Sequence, residues 1–167
     1  MNSKTRYLVE AALTIALAVV LSRIKLFRMP QGGSITLENV PLIIFAMRWG
    51  LSGGCMAGAV AGLLQFLLGG YMVHPVQAFL DYPLAYGVLG LAALSPRKTG
   101  WGVLIASLAR MACHVASGLI FFSAYVPAGT HPLVYSLTYN GGYMAVNTAL
   151  AFVLVPLILP RLKKDSR

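Results

Sequence analysis

The chain has 167 residues, 58% of them hydrophobic and 10% charged, with a mean hydropathy of +0.76. That composition excludes a soluble domain and identifies an integral membrane protein. The formal net charge of +9 is not the footprint of a nucleic-acid binder, because the basic residues fall in short runs at the ends of apolar segments, as cytoplasmic anchors do.

Six apolar segments follow in chain order, and the length leaves room for one bundle, so residues 1–167 are read as a single membrane-embedded domain. The first segment, Tyr7 to Ser22, follows Lys4 and Arg6 and contains Ala16-Leu17-Ala18, which resembles a signal-peptide cleavage site. Because Val19-Val20-Leu21 carries the apolar run past that site, the segment is expected to be a retained helix. The second, Leu37 to Trp49, is short for a span and is expected to be tilted or extended by Ser34-Ile35-Thr36. The third, Gly53 to Leu68, carries Gly54, Gly58 and Gly62 at four-residue spacing, a smooth stripe expected to pack closely within the bundle. Ala12 and Ala16 make a similar stripe on the first segment, which suits a partner protein equally well. The fourth runs from Pro75 to Leu94, the fifth from Trp101 to Tyr125, and the sixth from Leu133 to Leu159, with Pro156 and Pro160 marking a frayed end.

With the N-terminus inside, nine cations flank the cytoplasmic ends (Lys4, Arg6, Arg48, Arg97, Lys98, Arg161, Lys163, Lys164 and Arg167), against Arg23, Lys25 and Arg28 outside. Both termini are therefore expected in the cytoplasm, with Trp49 and Trp101 at the inner interface. Cys55 and Cys113 lie inside apolar runs and are read as packing residues, not as a disulfide or metal site.

Asp81 is the residue that calls for an explanation, since a carboxylate inside an apolar segment is costly and usually functional. At a helical rise of about 1.5 Å per residue, Asp81 lies about 9 Å below the outer face and Asn140 about 10 Å. His114, about 20 Å from the inner end of its segment, also falls about 10 Å below the outer face of a core about 30 Å thick. Three polar groups on three segments thus share one depth. Tyr71, Tyr82, Phe121, Phe122, Tyr125, Tyr135 and Tyr139 rim the same region, and Gly118 leaves space one turn above His114. Aromatic faces beside a carboxylate, an imidazole and an amide suit a small, flat, cationic organic ligand. Arg110, one turn deeper than His114, is read either as a counter-charge to Asp81 or as the floor of the cavity.

Three stretches carry a resemblance: MPQGGSITLENVPLI, LLQFLLGGYMVHPVQAFLDYPLAYGVLGLAAL, and RMACHVASGLIFFSAYVPAG followed by YSLTYNGGYM. In motif order over nearly the whole chain they resemble the ThiT family, the thiamine-specific substrate-binding subunits (S-components) of energy-coupling factor (ECF) transporters. The resemblance implies an all-α bundle of six transmembrane helices in the bacterial plasma membrane that captures thiamine from outside. It also implies delivery through a transmembrane coupling subunit and two ABC-type ATPases, with no catalytic residue, metal or cofactor in this chain. The family's ligand-contacting acid falls on Asp81, its histidine on His114, its glycine on Gly118 and its stacking aromatic on Phe122. Its tyrosines fall on Tyr135 and Tyr71 and its asparagine on Asn140, with Tyr82 beside the acid; the coupling stripe falls on Ala12 and Ala16. Some members have glutamate at Asp81, tryptophan at Phe122, and a tryptophan in the first outer loop, where this chain offers only Met29 or Gln31 as a cover.

Other functions fit less well. No GxxxxGK(S/T) loop is present, so ATP hydrolysis would belong to a partner. Gly50-Leu51-Ser52-Gly53 matches the short GxSG pattern of rhomboid proteases, but Ser52 falls in an inner loop, too far from His114 for a nucleophile–base hydrogen bond. A stand-alone ion-coupled carrier would be expected to show an inverted repeat, and none is visible. A subunit for a thiamine precursor or analogue remains the nearest alternative.

Overall fold

The computed structural model describes residues 2–29 and 33–163. Gln31, Lys164 and Arg167, to which the sequence assigns a cover and two anchors, lie outside the described residues. Helix α1 spans Ser3–Arg23, and the Asn2 side chain caps it by accepting the Lys4 N–H. Two short antiparallel strands follow, β1 (Phe27–Arg28) and β2 (Ser34–Ile35), so Ser34-Ile35 pairs as a strand and does not extend the second segment as a helix. Then come α2 (Asn39–Leu67), a composite helical run from Pro75 to Leu94, α5 (Thr99–Phe121) and α6 (Pro132–Lys163). The composite run contains α3 (Pro75–Phe79), a π-helical turn (Leu80–Leu84), α4 (Ala85–Gly87) and a 3₁₀ stretch (Val88–Leu94).

Five helical runs are thus long and apolar enough to cross a membrane. The second of them, α2, is not one straight rod. Gly50 has φ 85° and ψ 177°, a backbone region that only glycine occupies without strain. A β-carbon built on Gly54 would lie 2.8 Å from Ala46 Cα. Eight residues along a straight helix would separate these positions by about 12 Å. The chain therefore doubles back at Gly50, and its two halves pack side by side. Ser52 is exposed just past that reversal and does not line the cavity described below.

The glycine stripe after the reversal packs inward, as its spacing predicts. Gly58 and Gly62 meet the backbone carbonyls of Tyr86 and Tyr82, and Gly54 meets Gly90. Nothing larger than hydrogen fits where helix backbones approach this closely. Gly58→Ala is expected to destabilise the fold by about 3 kcal/mol, the upper end for overpacking, because the obstacle is a carbonyl and not a movable side chain. Thermal unfolding in detergent reads this directly; an unshifted midpoint would contradict the close approach.

A buried core of Leu42, Ile43, Ala46, Leu89, Val103 and Val155 joins α2, the Pro75–Leu94 run, α5 and α6. Helix α1 stands apart: only 6% of its most apolar window is buried within the chain, and Ala12 and Ala16 are exposed. Its N-terminal half is held by Glu10, which accepts from Arg6 Nε at 2.9 Å, Arg48 Nη2 at 3.0 Å and Trp49 Nε1 at 2.7 Å. Arg48 also donates to the Leu162 carbonyl, which ties α1 and α2 to the last turns of α6. Helix α6 does not fray at its prolines; it continues through Pro156 and Pro160 to Lys163. A proline removes only one backbone donor, and membrane helices tolerate that readily. Helix α5 ends earlier than expected, at Phe121, and Ser123–Tyr125 forms a separate 3₁₀ turn.

Candidate functional site

Asp81 sits in the π-helical turn, and Pro83 explains why a π turn forms there. Proline has no N–H and its ring crowds the preceding turn, so the helix widens instead of closing its regular ladder. The widened turn presents the Asp81 carboxylate to α5. Oδ1 lies 2.9 Å from His114 Nδ1, and Oδ2 accepts from Ser117 Oγ and from Gln77 Nε2, each at 2.7 Å. Gln77 and Ser117 follow from helical spacing: Gln77 precedes Asp81 by four residues and Ser117 follows His114 by three, so each is its neighbour's same-face partner.

The same glutamine organises the adjoining loop. Gln77 Oε1 accepts the Val73 N–H at 3.0 Å, and the Tyr71 N–H donates to Tyr82 Oη at 2.8 Å. Tyr71 is thereby placed beside Phe122, with ring centroids 6.4 Å apart, and Phe122 lies 6.3 Å from Tyr125. On α6, Tyr135, Tyr139 and Tyr143 recur every four residues and form an aromatic wall; the first two are stacked at 6.2 Å.

These groups surround one cavity of about 830 Å³. Asp81, His114, Asn140, Tyr135, Phe122, Tyr71, Gly118 and Tyr82, all expected at the site, line it. Its mouth lies at the end of the bundle where α1 finishes and α6 begins, bordered by Arg23, Lys25, Arg28, Gly69 and Val126. The start of α1 and the end of α6 belong to the opposite end.

Several expectations are corrected. Arg110 is not the counter-charge of Asp81. Its Nη2 pairs with Glu38 Oε1 at 2.9 Å, its Nη1 donates to Asn39 Oδ1, and its Cζ lies 4.0 Å from the centroid of the Tyr86 ring. The second of the two readings of Arg110 stands: it lines the cavity together with Glu38 and Tyr86. Removing one member of so buried a pair costs about 3–5 kcal/mol, because the other charge is left unmet. Phe121 turns away and stacks on His74 at 5.1 Å, leaving Phe122 as the aromatic that faces the cavity. Asn140 lines the cavity with its amide already engaged: Nδ2 donates to the Ser136 carbonyl at 3.0 Å, and Oδ1 accepts from Tyr143 Oη at 3.0 Å. Met29 does not line the cavity; its Cε lies over Gly142 of α6.

Glu38 is the main residue that sequence reading passed over. It stands at the head of an apolar segment, and the cost argument applied to Asp81 applies to it equally. Among the described residues no group of three or more His, Cys, Asp or Glu side chains could hold a metal ion.

Known proteins agree with this architecture. A sequence profile of the thiamine transporter protein family (Thia_YuaJ) matches residues 8–166. The chain is 36% identical to thiamine transporter ThiT of Bacillus subtilis, an alignment covering 96% of this chain and 95% of that one. A solved structure of ThiT from Listeria monocytogenes superposes with a TM-score of 0.87 at 26% identity, covering 98% of each chain. The S component of a bacterial ECF transporter shares the fold at a TM-score of 0.70 and 19% identity over 99% of each chain. The chain therefore belongs to the thiamine transporter protein family, a family of transporters and not of enzymes.

Proposed function

We propose that the chain is the thiamine-binding S-component of an ECF-type importer. In this reading it lies in the bacterial plasma membrane, takes thiamine from outside into the 830 Å³ cavity, and passes it inward with a coupling subunit and two ABC-type ATPases. The reading carries six membrane crossings, because the reversal at Gly50 turns α2 into two spans, with both termini cytoplasmic. No cofactor is required, since thiamine is cargo and the chain performs no covalent step.

The observation that carries this reading is Asp81, a carboxylate facing an aromatic-walled cavity with, among the described residues, no Lys or Arg hydrogen-bonded to it. Thiamine offers the complement: a permanently cationic thiazolium and an aminopyrimidine with adjacent donor and acceptor. In this assignment Asp81 meets the positive charge or the amino group, and Phe122, Tyr71 and Tyr135 cover the flat rings. His114 and Tyr82 hold Asp81 and Tyr71 in place, Gly118 leaves its space to Ser136 of α6, which packs against it, and Asn140 braces the tyrosine wall of α6.

Titration calorimetry on the purified chain tests binding: tight, stoichiometric thiamine binding is expected, and a folded chain that does not bind thiamine overturns the site. Uptake into proteoliposomes tests the transport role. Import that depends on ATP and the energising module supports the S-component, whereas import by the chain alone on an ion gradient supports a carrier.

A further inference from the structure

A guanidinium at the floor of a site for a cation is a liability, and the structure contains a device that removes it. The Arg110 Nε–H donates to His114 Nε2 at 3.4 Å. Arginine keeps its protons, so Nε2 must be the acceptor nitrogen of the ring. The imidazole proton therefore resides on Nδ1 and donates to Asp81 Oδ1 at 2.9 Å. The other two partners of Asp81, Gln77 and Ser117, are neutral donors. Among the described residues no Lys or Arg is hydrogen-bonded to Asp81.

Arg110 would still cancel that charge through space. It is met instead by Glu38, at 2.9 Å, with both side chains less than a tenth exposed, so water does little to screen either. The other cations bordering the cavity, Arg23, Lys25 and Arg28, are exposed at its mouth. Glu38 and Arg110 sum to zero beneath the site, which leaves Asp81 as the carboxylate facing the cavity among the described residues.

We propose that Glu38 is a positioning residue that sets the cavity's preference for a cationic ligand. By neutralising Arg110 it allows that arginine to fix the His114 tautomer without spending the charge of Asp81. This rests on the reading of the cavity as a thiamine site.

The test compares thiamine with its neutral isostere, in which thiophene replaces the thiazolium ring. Calorimetry at pH 8 is run on the full-length parent chain, E38Q, R110Q and the double variant. In E38Q, thiamine binding is expected to weaken roughly 30-fold or more and the isostere by less than about threefold, because only the cation feels the unmet guanidinium. R110Q should move the ratio of the two affinities the opposite way, and the double variant, again neutral beneath the site, should return it to within about threefold of the parent. A ratio that stays within about threefold of the parent's in the single variants overturns the proposal, and if E38Q does not fold, R110Q decides. A parent chain that binds neither ligand overturns the thiamine reading itself, and the two failures are distinct.

Discussion

Asp81→Ala is expected to weaken thiamine binding by roughly two to three and a half orders of magnitude, the equivalent of about 3–5 kcal/mol for removing one partner of a desolvated charge pair. The carboxylate is held by Gln77, His114 and Ser117, so its position does not depend on the ligand. That preorganisation is why the loss should be large: the ligand orders nothing on arrival. Asp81→Asn keeps the volume and removes the charge, and should lose most of the same affinity. Asp81→Glu keeps the charge on a side chain one methylene longer and should stay within about tenfold, the cost of refitting that methylene in a packed site. Calorimetry on variants with unchanged helical content reads all three. Parent-like affinity in Asp81→Ala would remove this residue from the site.

The second large effect is expected at the far side of the molecule. Ala12 and Ala16 lie one turn apart on α1, both exposed, on the helix that contributes least to the chain's own core. A stripe of small side chains lets a second helix approach closely, and a bulky side chain holds it off. The double variant Ala12→Trp, Ala16→Trp is expected to bind thiamine as the parent does, yet to lose roughly nine-tenths or more of ATP-driven uptake, since helix contact in lipid depends on such packing. Co-purification with the coupling subunit, together with uptake into proteoliposomes, checks it. Normal uptake would place the coupling surface elsewhere.

The common depth of Asp81, His114 and Asn140 is legible from rise per residue alone, because helix geometry is local and regular. All three line the cavity. The partner of Arg110 was not legible in the same way. Counting turns places Arg110 one turn below His114, which makes Asp81 look as near as any other acid. The pairing is decided by how the head of α2 enters the bundle, and Glu38 lies 72 positions away in sequence from the arginine it meets. Phe121 and Phe122 show the same limit at smaller scale. Both sit at the end of α5, and only the loss of helical backbone at Phe122 decides which ring turns inward. The prolines of α6 mislead in the other direction, since their helix-breaking character in water counts for less in a helix flanked by neighbours and lipid.

By itself, then, the sequence determined the membrane class, the apolar segments, the glycine stripe that packs inward and the common level of three polar residues that line one cavity. These follow from transfer energy and helical repeat, which act along the chain. Only the tertiary structure decided that the chain doubles back at Gly50 beside Ala46, that Pro83 opens a π turn at Asp81, and that Glu38 meets Arg110. Those outcomes depend on which faces of separate helices meet, and a charge buried between helices settles on the partner that packing brings within hydrogen-bond reach.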